Sequence, residues 1–238
     1  MMAALSFIFS YVFFAILLSI LTRYTKIPKP VIRKIYHIFA SFSFLILLYG
    51  FESWIKSIVF FVSFFVIIMF FLTIFKNIKI FQPLRFDRKG EGPDLRKQLV
   101  FVIINYALLI LIFRGFGGET DKYHAIVGVL MWGVGDAFAA IIGTCLGENK
   151  FKHFIFDNKK TYEGTYAFFV SGFIINVFIF ILFGKIPLFY SLLFALILAF
   201  IGAFIEAVSK KGLDNFVLPV LTSSLSYSLV FLLNFFGR

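Results

Sequence analysis

The chain has 238 residues, of which 61% are hydrophobic and 15% charged, with 38 phenylalanines, a mean hydropathy of +0.98 and a formal net charge of +11. A water-soluble domain of this length cannot hide that much apolar surface, so composition excludes a soluble globular fold and reads as an all-α, polytopic membrane helix bundle. The single cysteine, Cys145, excludes an intrachain disulfide framework and any multi-thiolate metal site.

A membrane-crossing helix needs roughly 20 apolar residues, because hydrocarbon about 30 Å thick leaves no water for an unpaired backbone. In chain order the sequence predicts eight such spans, near 3–22, 35–51, 54–75, 98–113, 123–146, 162–183, 187–207 and 216–236, as a single integral-membrane domain over 1–238. The first has no basic residue before its apolar run and no small-residue cleavage site, so it reads as a membrane anchor rather than a signal peptide.

In a soluble domain a charge of +11 would point to nucleic acid; here its distribution reports orientation, and no nucleic-acid partner is expected. The first, third, fifth and seventh loops hold eighteen of the 23 Lys and Arg residues. The positive-inside rule places those loops in the cytoplasm and both termini outside. The longest, Lys76 to Lys97, mixes seven basic residues with Asp87, Glu91 and Asp94 around a Gly90 to Pro93 turn. It reads as a solvated loop touching anionic lipid headgroups, with a grip on phosphate as the sharper alternative.

Charged groups inside a span cost roughly 2.5 to 3.5 kcal/mol on insertion scales, so each needs a reason. The second span opens with Arg33-Lys34-Ile-Tyr36-His37, in which Arg33 and His37 are four apart and share a helical face. His37 is a candidate proton acceptor or phosphate partner, against the plainer reading of a structural histidine at the interface. The fifth span contains Trp132-Gly-Val-Gly-Asp136-Ala-Phe-Ala-Ala-Ile-Ile-Gly143-Thr-Cys-Leu-Gly147. Gly133 and Gly135 suggest an interrupted helix, and Asp136, Ala139, Ala140, Gly143 and Gly147 line one face where a neighbouring backbone or a ligand can approach closely.

The following loop carries Lys150, Lys152, His153, Asp157, Lys159 and Lys160, then Thr161-Tyr-Glu163-Gly164 at the start of the sixth span. Thr161 is a candidate N-cap with Glu163 in the first turn, and free N–H groups beside two lysines make a candidate anion site. Lys160-Thr161 lacks the upstream glycine spacing and the strand of a P-loop. The last cluster, Glu206-Ala-Val-Ser-Lys210-Lys211-Gly-Leu-Asp214-Asn215-Phe-Val-Leu-Pro219, joins spans seven and eight on the same side. Carboxylates for Mg²⁺ and lysines for phosphate oxygens are the parts that phosphoryl transfer needs. No HExxH, Cys/His cluster or GxSxG elbow is present, so zinc hydrolysis and serine-esterase chemistry lack support.

Gly135-Asp136-Ala-Phe-Ala-Ala-Ile-Ile-Gly143, Gly147 and Lys160-Thr161-Tyr-Glu163-Gly164 resemble the shared core of CTP-dependent lipid kinases and phosphatidate cytidylyltransferases. Arg33 to His37 and Gly212-Leu-Asp214-Asn215 to Pro219 resemble the polyprenol kinase branch, which includes dolichol, phytol and diacylglycerol kinases, over about 33–220. The cytidylyltransferases' C-terminal His-Gly-Gly and Asp-Arg-x-Asp patterns are missing after Lys210, and Ala140 stands where a second acidic residue is usual.

The resemblance implies transfer of the γ-phosphate of CTP to a membrane-dissolved alcohol at the cytoplasmic face. It implies catalytic roles for Asp136, His37 and Arg33, and nucleotide or phosphate contacts from Lys150, Lys159, Lys160, Thr161, Glu163, Gly164 and Asn215. It also implies Mg²⁺ on Asp136, with Glu206 or Asp214 as the further carboxylate. The alternatives are a CTP:phosphatidate cytidylyltransferase, and a transporter or channel in which Asp136 lines an ion path.

Overall fold

The computed structural model describes residues 2–24, 29–74, 95–209 and 213–236. They form eight helices: α1 (Met2–Tyr24), α2 (Lys29–Tyr49), α3 (Trp54–Ile74), α4 (Leu95–Ile110), α5 (Tyr123–Cys145), α6 (Tyr162–Leu182), α7 (Leu188–Val208) and α8 (Asp214–Phe236). Each predicted span coincides with one helix, and no strand occurs among the described residues. Five helices, α3 and α5 to α8, are long and apolar enough to cross a membrane; the described apolar stretches of α1, α2 and α4 are shorter. The long basic loop around Asp87, Glu91 and Asp94 lies outside the described residues.

Helix α5 is the axis of the bundle: 72% of it is buried, against 17 to 39% of the other four long spans. It packs chiefly on α6, α8 and α2. Its glycines explain how three helices reach it. A methyl at Gly128 would overlap the Pro219 carbonyl and Ser223 Oγ of α8, and one at Gly133 would overlap Ser41 of α2. Gly135 meets the Phe168 ring of α6. In a bilayer, where lipid is as apolar as leucine, such close backbone approach is what holds helices together. The interruption expected at Gly133 and Gly135 does not occur. α5 runs unbroken from Tyr123 to Cys145, and these glycines are contact points.

Gly133 carries a test. A Cβ there would meet both Oγ and Cβ of Ser41, and a rotamer change cannot move the second. Gly133→Ala is therefore expected to lower the thermal midpoint in detergent and push α2 off α5, and Gly133→Ala with Ser41→Gly should recover it. Equal midpoints for wild type and the single variant would refute this contact.

The far end of the bundle is pinned by Arg114, in the π-helical continuation of α4 over Leu111–Phe116. Its buried guanidinium donates to the carbonyls of Leu47 (3.4 Å), in the last turn of α2, and of Phe51 (2.6 Å), just beyond that helix, and to Glu119 Oε1 at 2.9 Å. Hydrogen bonds from Lys122 and Arg114 hold the Glu119 carboxyl below its usual range. This accounts for an arginine in an apolar helix without assigning it chemistry.

Candidate active site

At the opposite end, the first turns of α2 face the middle of α5. Lys34 and His37 lie one turn apart on α2. The Lys34 ammonium is hydrogen-bonded and ion-paired to Asp136 Oδ2, and His37 Nε2 lies 4.0 Å from the same oxygen. The imidazole rests on the Trp132 indole, with ring centroids 4.1 Å apart, and the His37 carbonyl accepts from Ser41 Oγ at 2.8 Å. Asp136 keeps 13% of its side chain exposed, so it is recessed yet reachable. Nine residues separate it from the end of α5 at Cys145, a depth of about 14 Å along the helix.

A second group assembles beside it. Lys160 Nζ lies 2.7 Å from Glu206 Oε1 and 3.5 Å from Asp214 Oδ2, and donates to the Glu206 main-chain carbonyl. That carbonyl is in the last turn of α7, where helices leave acceptors unpaired and favour cations. Thr165 Oγ1 donates to the other carboxylate oxygen of Glu206 at 3.2 Å. Glu206 and Asp214 are both buried.

Burial acts to lower the Lys160 ammonium, but Glu206 and Asp214 outweigh it, and its pKa is held above the usual lysine value. Asp136 is close enough to interact electrostatically with both Lys160 and Asp214, so the two groups share one field.

The chain positions Lys160 through a folded loop. Lys150 and Thr161 form an antiparallel bridge, with Phe151 N–H donating to the Lys160 carbonyl (3.2 Å) and Tyr162 N–H to the Asn149 carbonyl (3.0 Å). Buried Phe151 stacks with Phe156 and Tyr162, and Asp157 N–H donates to the Ala207 carbonyl at 3.0 Å, tying the loop to α7.

Several predicted residues serve this scaffold. Thr161 is the N-cap of α6, its Oγ1 accepting from Gly164 N–H at 3.1 Å. Thr161 and Gly164 fill the glycine groove of α5, with Gly164 against the Ala139 carbonyl and Gly143, so the groove receives a neighbouring backbone rather than a ligand. The anion site expected at this helix start is not open, because the Tyr162 and Gly164 N–H groups are already used. Glu163 Oε1 accepts from the Asn149 main-chain N–H (3.3 Å) and Nδ2 (2.8 Å), locking the bridge.

Lys150 lies apart from the ionic cluster, lining an open cleft of about 700 Å³ with Glu148, Asn149, Lys152, His153 and Tyr162. Lys159 is exposed in the same loop, its N–H bonded to Asp157 Oδ1 at 3.0 Å. Asn215 opens α8 beside Asp214, and its Oδ1 accepts from Trp132 Nε1 at 3.3 Å. The Arg33 side chain lies outside the described residues; Lys34, next to it in α2, is ion-paired to Asp136.

Sequence reasoning passed over Lys34, Trp132 and Thr165. The signal for Lys34 was available: it is three residues before His37, and an intramembrane aspartate demands a cation.

Among the described residues, no three His, Cys, Asp or Glu side chains converge to hold a metal ion. Asp136, Glu206 and Asp214 are instead paired with lysines. This is not a preformed carboxylate cage. The donors are nevertheless the hard oxygens Mg²⁺ takes, and Mg²⁺ is commonly held by one or two carboxylates with substrate phosphates completing its shell. The residues fit a metal that arrives with phosphate.

Fold and site together define an integral membrane protein with a recessed centre of alternating carboxylates and ammonium groups between α2, α5, α7 and α8. Three of its sequence relatives are named as lipid-alcohol kinases. The chain is 31% identical over 136 residues to dolichol kinase sec59 of Schizosaccharomyces pombe, covering 56% of this chain and 25% of that one. It is 31% identical over 117 residues to phytol kinase of a Synechocystis species (48% of each), and 30% identical over 89 residues to a probable chloroplastic phytol kinase of Triticum aestivum (37% and 27%). The chain thus spans about half or less of the length of these kinases. No family model and no solved structure matches it. Over the matched segments the chain is similar to dolichol and phytol kinases.

Proposed function

We propose that this protein is a lipid-alcohol kinase that uses CTP, with its site on the cytoplasmic side of the membrane. The alcohol oxygen attacks the γ-phosphorus, the bond from that phosphorus to the β–γ bridging oxygen breaks, and the products are a lipid phosphate, CDP and a proton. The acceptor is a long apolar alcohol of the phytol, polyprenol or dolichol type, or diacylglycerol. The observation that carries the reading is the ionic cluster recessed about 14 Å from the end of α5, where a lipid hydroxyl reaches charged groups without leaving the membrane.

Phosphoryl transfer is catalysed mainly by positioning and charge neutralisation. Lys34 and Lys160, held on carboxylates, supply the ammonium groups that bind transferring phosphate oxygens. Asp136, with Glu206 or Asp214, would hold Mg²⁺, which when bound offsets the charge of the nucleotide phosphates. His37 Nε2, beside Asp136, is placed to accept the alcohol proton, and Asp136 favours the imidazolium that forms. Lys150 and Lys159 on the outer loop suit the distal parts of the nucleotide.

Purified protein incubated with γ-labelled CTP, UTP or ATP and a panel of lipid alcohols tests the proposal. Label is expected in a lipid phosphate with CDP released. Labelled pyrophosphate together with a CDP-lipid would identify a cytidylyltransferase instead.

A further inference from the structure

We propose that Asn105, buried in α4, is a positioning residue that aims the start of α8 into the site; this rests on the kinase reading above. The reason lies in Pro219. It sits inside α8 and has no N–H, so the carbonyl of Asn215, four residues earlier, lacks its helical partner. Asn105 Nδ2 donates to that carbonyl at 2.9 Å, across from another helix. Because a carbonyl only accepts, the amide nitrogen must be the end that faces it.

The opposite end of the same amide, Oδ1, is buried with no hydrogen-bond partner among the described residues. A leucine of the same shape would not leave that acceptor stranded. Asparagine here is accounted for by its donor alone.

What the donor holds is functional. Asn215 N–H donates to Asp214 Oδ1 at 3.1 Å, and Asp214 Oδ2 lies 3.5 Å from Lys160. Asn215 Oδ1 accepts from Trp132 Nε1, and the Trp132 ring carries His37. With its oxygen fixed by Trp132, the Asn215 amide presents its nitrogen as the donor end. Asn105 therefore anchors a chain running through Asn215 to Asp214 and Lys160 on one side and to Trp132 and His37 on the other. The proline opens the α8 backbone, and Asn105 decides which way the opened turn points.

The test compares Asn105→Leu, Pro219→Ala and the double variant in detergent, with Trp54→Phe as background so that Trp132 is the remaining one of the two tryptophans. In Asn105→Leu, kcat is expected to fall about ten-fold or more with KM for the alcohol within about two-fold, because misplacement acts on the transition state. Trp132 emission should shift without nucleotide present. Adding Pro219→Ala gives the Asn215 carbonyl a helical N–H, so the thermal midpoint should return while kcat stays low.

Unchanged kcat and emission in Asn105→Leu would overturn the proposal, as would full recovery of kcat in the double variant, which would reduce Asn105 to carbonyl satisfaction. Should wild type transfer no phosphate, the kinase reading fails and Trp132 emission still decides: an unchanged spectrum sinks the positioning role, and a shift sustains the contact chain.

Discussion

Asp136→Asn is expected to abolish phosphotransfer while the chain still inserts into the membrane. The amide keeps the size and loses the charge, and that charge has two tasks. It holds Lys34 and faces His37 Nε2, and it is the most accessible carboxylate of the centre for a metal that enters with phosphate. Loss of a charge that acts in the transition state costs about 100-fold to 1,000-fold at least, by comparison with single oxyanion-hole donors. Asparagine would also leave the Lys34 ammonium unpaired in a low-dielectric site, and removal of one partner of such a pair typically destabilises by about 3 kcal/mol.

Those two effects are separable. Lys34→Met added to Asp136→Asn removes the stranded cation, so the thermal midpoint should recover towards wild type with no return of activity. Asp136→Glu keeps the charge but moves it by one methylene, and should retain the fold with reduced turnover. Normal turnover in folded Asp136→Asn would end the assignment of Asp136 to the reaction.

Much of this centre was legible because burying charge in a membrane is costly. Asp136 stood out in an otherwise apolar span, and Thr161 announced a helix start through its hydroxyl. What stayed hidden depends on rotation about helix axes and on partners far apart in the chain. The turn of α2 presents Lys34 to Asp136, 102 residues away, a pairing the sequence does not display.

The glycines were visible, but their partners were not. Gly143 and Gly147 receive α6 rather than a ligand because the Thr161 cap needs the space. Asn105 had no signal at all, since the need it meets is created by a proline 114 positions later in another helix, which only packing reveals.

Lys160→Met should be the most damaging single change to the fold. The ammonium is shared between Glu206 and Asp214 and also satisfies a carbonyl at the end of α7. Methionine fills the stem and removes the cation, leaving two buried carboxylates facing each other, at a cost of about 3 to 5 kcal/mol. Adding Glu206→Gln and Asp214→Asn should return the thermal midpoint without restoring phosphotransfer.

The pH dependence follows from the same geometry. Lys160 has a higher pKa folded than unfolded, so its contribution to stability is fully present below the unfolded value and disappears only as pH rises through the folded one. The wild-type melting point should therefore show no loss from Lys160 between about pH 7 and 9, well below the ordinary lysine range. A melting curve for Lys160→Met that matches wild type at neutral pH would show that the ammonium does not hold these carboxylates together.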